Sequence, residues 1–258
     1  MPSSIDPPSP PCPWKDYVAP PDSHAGRVIL VTGAGTGLGR ALSMALAAQG
    51  ATVLLLGRRP RPLEQVYDAI VKANGPRPAL LPFDLENALA GDFDRLVEAV
   101  AREFGRLDAL VHNAAILGTR APLEHYDVPT WCRVLQVNVT AAFALTQGLL
   151  PLLKAGRVPS VLYTTCAQGA RGSAYYGAYA VAKGGIERLA DVLADEHEGT
   201  LRVHCIDPGA MHTSLRALVF PAEGGARAPA PETAVAPYLW LTDPLCTQPS
   251  GTRIGSGG

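Results

Sequence analysis

From Arg27 onward the chain alternates short apolar runs with longer segments of helical period. The runs lie at Val28–Thr32, 52–56, 79–83, Ala109–His112, Ser160–Thr164 and 201–206, with a further one near 252–254. Apolar residues at consecutive positions mark strands covered on both faces, and the periodic segments between them mark crossover helices. Phe93, Leu96, Val97, Val100 and Phe104, for example, recur at spacings of three and four and place one apolar stripe on a helix. The pattern predicts an α/β domain with a doubly wound parallel sheet of six to seven strands and helices on both faces.

The two ends of this rhythm differ from it. Eight of the first 25 residues are proline, which lacks the N–H that a helix interior or central strand requires. Residues 1–26 therefore read as a Pro-rich N-terminal extension, a passive tail rather than a docking peptide, and residues 27–258 as a single domain. Residues 210–232 carry Gly and Ala-Pro pairs together with Leu215, Leu218, Val219 and Phe220. A long apolar connection of that kind reads as a lid over a substrate.

Composition removes several functions. The 22 Lys and Arg nearly balance the 23 Asp and Glu, so there is no basic field for nucleic acid or an anionic membrane. The five cysteines are widely spaced without C-x-x-C pairs, which suggests reduced thiols and no metal site. The first residues show neither a basic start nor an apolar run, so the expected location is cytoplasmic.

Chemistry enters where the first strand ends. Thr32-Gly33-Ala34-Gly35-Thr36-Gly37-Leu38-Gly39 lies between that strand and a helical stretch over 40–49. Glycines let the backbone approach a pyrophosphate, and free N–H groups at the helix start attract its charge. In this position the turn points to a dinucleotide and a Rossmann-type domain. The second strand ends at Leu56-Gly57-Arg58-Arg59. Gly57 supplies no carboxylate for a ribose hydroxyl, and Arg58 and Arg59 suit a 2′-phosphate, so NADP(H) is favoured over NAD(H). Asp84 and Leu85, just past the third strand, are expected beside the adenine.

Tyr179 alone among eight tyrosines has a Lys four residues on, Lys183, which places phenol and ammonium on one helical face. A nearby cation lowers a phenol's pKa and suits it to exchange a proton with an alcohol or carbonyl oxygen. The glycine turn, His112-Asn113-Ala114-Ala115, Asn138, Tyr179/Lys183 and Pro208-Gly209 together resemble the short-chain dehydrogenase/reductase family in order and spacing. Within it, Leu56-Gly57-Arg58, Ala178-Tyr179-Ala180 and Tyr238-Leu239-Trp240-Leu241 resemble a bacterial subgroup similar to 3-oxoacyl-carrier-protein reductases.

The resemblance implies an oxidoreductase acting on a carbonyl or alcohol, with Tyr179 as acid/base and Lys183 on the nicotinamide ribose, lowering the tyrosine's pKa. It implies that Asn138 holds a relay water, that Asn113, Ala114 and Ala115 line the nicotinamide side, and that Pro208, Gly209 and Thr213 touch carboxamide and pyrophosphate. Asp207 stands where the family more often has Asn. It implies a homodimer or homotetramer through helices around 131–150 and 175–196. Gln168, Tyr175, Tyr176, Ile116 and Leu117 are the candidate substrate walls.

One position departs. The family's substrate-orienting serine falls here on Cys166, a weaker hydrogen-bond donor. Three readings stand open: Cys166 serves as the weaker donor, Thr165 or Ser173 substitutes, or the chain binds NADP(H) without turnover. The first is preferred, because Thr165 and Cys166 should face opposite sides of the strand.

Overall fold

The computed structural model describes residue 14 and residues 17–167, 171–220 and 228–255. All seven apolar runs form strands: β1 Val28–Thr32, β2 Thr52–Gly57, β3 Ala79–Pro82, β4 Ala109–His112, β5 Ser160–Thr164, β6 Arg202–Asp207 and β7 Arg253–Gly255. They make one parallel sheet in the order β3-β2-β1-β4-β5-β6-β7. The chain reverses direction of winding between β1 and β4, which opens a crevice at the carboxyl ends of these strands. Every residue of the central strands β1 and β4 is buried, whereas edge strand β3 alternates half-buried and exposed positions.

Eight helices among the described residues cover the sheet: α1 Gly37–Ala48, α2 Pro60–Lys72, α3 Ala90–Phe104, α4 Val128–Leu135, α5 Ala141–Lys154, α6 Gly177–Glu196, α7 Ser214–Val219 and α8 Ala236–Thr242. Alternate residues of each strand feed opposite cores. Leu30, Leu110, Val161 and Tyr163 pack with Phe93, Leu96 and Val100 of α3, Leu145 and Leu149 of α5 and Ile186 of α6. Ile29, Val31, Val111 and Leu162 pack with Leu42 and Leu46 of α1, Val66 and Ile70 of α2 and Tyr238 of α8. Each fully buried aliphatic side chain contributes about 1.5–3 kcal/mol, so both layers hold the sheet. Val128–Lys154 is one continuous helix, apolar and long enough to cross a membrane by length and composition; Leu145, Leu149 and Leu153 on it are core residues. The four described cysteines are free, and no cluster of metal-ligating side chains is found among the described residues.

One sequence expectation needs correction. The domain does not begin at residue 27, because Trp14, Tyr17 and Ala19 pack on the second core and Tyr17 Oη donates to Asp243 Oδ2 at 2.6 Å. His24 is fully buried, with Nε2 2.9 Å from Thr242 Oγ1. Residues 17–26 form no helix or strand, yet side chains among them dock on the domain. The presumed lid at 210–232 contains the short helix α7 and a 3-10 turn at Pro231–Ala234, while residues 221–227 lie outside the described residues.

Candidate active site

A cavity of about 890 Å³ occupies the crevice at the carboxyl edge of the sheet. Its floor is built by the glycine turn. Thr32 Oγ1 accepts the N–H groups of Asn113 and Ala114, each at 3.0 Å, and Asn113 Nδ2 donates to Thr32 O at 3.0 Å. The end of β1 is thereby tied to the end of β4. Gly33 takes φ +68°, and a Cβ on Gly39 would stand 2.1 Å from Gly33 O, so the turn closes only with glycine there. Gly33, Thr36, Gly37 and Leu38 face the cavity, whereas Gly39 lies behind it as a packing residue. Thr36 has extended backbone at the start of α1 and no side-chain cap, which leaves first-turn N–H groups for a ligand oxygen. A turn this tight against the first turn of a twelve-residue helix fits a pyrophosphate.

Arg58 and Arg59 line the same cavity. Arg58 Nη1 lies 3.3 Å from Glu86 Oε2, and Arg133 Nε lies 2.8 Å from Glu86 Oε1. Asp84 and Leu85, expected beside the adenine, do not line the cavity, whereas Glu86 does. Asp84 spends both carboxylate oxygens locally, on Glu86 N at 3.0 Å and Asn87 Nδ2 at 2.8 Å, and Leu85 turns inward.

Tyr179 and Lys183 lie one turn apart on α6, both buried and both facing the cavity. Lys183 Nζ stands 5.6 Å from the Tyr179 ring centroid and donates to Thr164 O at 2.7 Å. Burial first, then the Cys166 thiol in hydrogen-bond contact, Asp207 and Tyr176 push the Tyr179 phenol above its ordinary value. Burial likewise holds Lys183 below its ordinary value. Loss of water disfavours the phenolate, and the Lys183 ammonium is turned toward Thr164 O.

Asn138 sits in a π-helical turn, Gln136–Thr140, between α4 and α5. Its amide grips one residue of the loop after β4, accepting Ile116 N and donating to Ile116 O, each at 2.9 Å. Beside it a second cavity of about 10 Å³, room for one water, is bordered by Asn138, Lys183, Thr164 and His112.

Residues 27–224 match the family model described as short chain dehydrogenase. The chain belongs to the short-chain dehydrogenase family. It is 41% identical over 215 residues to the uncharacterized oxidoreductase YciK of Escherichia coli strain K12, covering 83% of this chain and 85% of that relative. A Shigella flexneri structure complexed with NADP superposes with a TM-score of 0.90 at 37% identity, covering 93% of this chain and all (100%) of that one. An Escherichia coli CFT073 structure complexed with NADPH gives 0.89 at 39%, covering 92% and 99%.

The remaining described residues of this short-chain dehydrogenase fall around the same cavity with two exceptions, Tyr175 and Ser173. Asn113, Ala114, Ala115, Ile116, Leu117 and Tyr176 line it, as do Cys166, Pro208, Gly209 and Thr213. Asp207 Oδ1 accepts Gly209 N at 2.9 Å, so the aspartate shapes the turn after β6. Thr213 caps α7 by accepting Arg216 N at 3.3 Å. Tyr175 is 56% exposed and Ser173 is exposed, and neither lines the cavity; Gln168 lies outside the described residues. Thr165 borders the cavity, but its hydroxyl donates to Glu187 Oε1 at 2.6 Å, which leaves Cys166 as the group beside Tyr179. Glu86, Arg133 and Val134 also line the cavity without having been singled out from the sequence, whereas Met211 and Leu215 belong to the stretch expected to cover the substrate. Of the first three, only Glu86 had a clue, its place two residues after Asp84.

Proposed function

We propose that this dehydrogenase binds NADP(H) and interconverts a carbonyl and an alcohol, acting as a carbonyl reductase on an apolar ketone or a 3-oxoacyl thioester. The observation that carries this reading is the burial of Tyr179 and Lys183 against the cavity floored by the glycine turn. When bound, NADPH supplies the hydride for the carbonyl carbon.

The chain's own residues do the rest. The first turn of α1 would hold the pyrophosphate, and Arg58 and Arg59 the 2′-phosphate, a preference supported by the NADP and NADPH complexes of the two related structures. Tyr179, kept protonated by burial, donates its hydroxyl proton to the carbonyl oxygen, and the Cys166 thiol supports the same oxygen as a weaker donor. The water-sized cavity between Lys183 and Asn138 supports a relay that reprotonates the tyrosine. Leu117, Met211, Leu215, Val219 and Phe220 make the substrate side apolar. Exposed Phe143 on α5 and Val181 and Val192 on α6 support assembly as a homodimer or homotetramer.

NADPH absorbance followed over ketones, 3-oxoacyl thioesters and quinones tests this reading. Turnover should fall about 10²–10⁴-fold in Tyr179→Phe with cofactor affinity kept. Turnover that survives that substitution would remove Tyr179 as the acid. Binding without turnover, restored by Cys166→Ser, would instead indicate a catalytically silent NADP(H)-binding protein.

A further inference from the structure

Helix α6 grips the end of β5 with two side chains one turn apart. Lys183 Nζ donates to Thr164 O at 2.7 Å, and Glu187 Oε1 accepts the Thr165 hydroxyl at 2.6 Å. Thr165 N also donates to Ile206 O at 2.8 Å, adding one rung to the β5–β6 ladder beyond Thr164. The peptide joining Thr164 and Thr165 is therefore held from the helix side and from the neighbouring strand, and the next residue is Cys166.

Glu187 itself does not line the cavity, although it is buried to 6% exposure. A carboxylate removed from water needs partners. It has the Thr165 hydroxyl and, at 3.6 Å, Arg253 Nη1 from β7. Arg253 is in turn fixed by Asp191, one turn further along α6, at 2.6 Å. The line Asp191, Arg253, Glu187, Thr165 thus runs from the last strand to the residue preceding Cys166, which packs against the cluster that contains Tyr179.

We propose that Glu187 is a positioning residue: its bond to the Thr165 hydroxyl, braced by Arg253, fixes the turn leaving β5 so that the Cys166 thiol meets the Tyr179 hydroxyl. The proposal rests on the reading of Tyr179 as the proton donor. A misplacement of about 1 Å at a reacting centre costs about 10²-fold in rate, so a bond one residue away is close enough to matter.

A double-mutant cycle of Thr165→Val and Glu187→Leu tests it, with Thr165→Ser as the rescue. Four quantities are read for each protein: kcat, the Kd for NADPH, the melting temperature, and the rate at which iodoacetamide alkylates the Cys166 peptide, followed by mass spectrometry. Both single variants should lose about 10–100-fold in kcat and change the Cys166 alkylation rate several-fold, while the Kd for NADPH stays within about twofold. The double variant should be no worse than either single one, because both remove the same bond. Thr165→Ser, which keeps the donor, should return both readouts to wild type.

A folded Thr165→Val protein with wild-type kcat and wild-type alkylation overturns the proposal, as does a Thr165→Ser protein that fails to restore them. If the wild-type protein turns over no carbonyl, the reading of Tyr179 fails separately. The alkylation rates then decide the positioning role by themselves.

Discussion

The two edges of the sheet both bury ionisable groups and use them differently. At the amino edge, Arg27 donates to Asp108 O at 2.9 Å and to Arg157 O at 2.7 Å. The fully buried Asp108 carboxylate accepts Val28 N at 2.8 Å, Arg157 N at 2.6 Å and Arg106 Nε at 3.2 Å. Arg202 closes the edge on the carbonyls of Asp243 and Cys246. At the carboxyl edge, Tyr179 and Lys183 are as deeply buried, yet they border a cavity large enough for a dinucleotide and a substrate. Charges answered by fixed partners hold strand ends in place. Groups shifted by burial beside open space are available for chemistry.

The largest effect that would sharpen this contrast is expected at the amino edge. Asp108→Ala removes the partner of three donors and should cost about 3–5 kcal/mol of stability in denaturant unfolding, with NADPH affinity of the folded protein unchanged. A parallel loss of affinity would show that the two edges are not independent. At the carboxyl edge, Gly39→Ala forces a Cβ against Gly33 O. The strain of about 1–3 kcal/mol should appear as a rise of roughly 5–140-fold in the calorimetric Kd for NADPH.

Three buried histidines extend the comparison to pH. Burial and then Arg27 lower His24 to about 4, burial and then Arg202 lower His204 to about 4, and burial and then Lys183 lower His112 to about 3. All three lie below the unfolded value of about 6.5, so the unfolded chain binds protons first as pH falls. The stability these neutral rings supply is complete above about pH 6.5 and is lost progressively down to pH 4 and then 3. The slope is at most about 1.4 kcal/mol per pH unit for each ring. Melting temperatures that stay flat from pH 7 to 4.5 would refute this. The smallest effect is expected from Tyr17→Phe, which removes the bond to Asp243 and should cost about 1 kcal/mol in the same unfolding assay.

The strands were readable to within one residue because each centres on a run of apolar residues, and the central ones are covered on both faces. The run at 52–56 continues to Gly57, and the run at 201–206 shifts to Arg202–Asp207. The glycine turn and the Tyr179/Lys183 spacing were readable because each is a local geometric requirement. The docking of Tyr17 and His24 was not legible, because their partners, Asp243 and Thr242, lie more than 200 residues away. Glu86 was not legible for a related reason, since its pairing with Arg58 and Arg133 joins two connections and helix α4.

What the amino-acid order determined by itself is therefore the α/β layering, the tight turn after β1 and the presence of a phenol and an ammonium one turn apart. Tertiary structure decided what those two groups experience. Folding seals them from water, turns the ammonium toward Thr164 O and sets the thiol of Cys166 against the phenol, so the tyrosine is held protonated. The physical reason is that a pKa depends on surrounding dielectric and on the nearest charges, and both are properties of chain segments that meet only in the folded molecule.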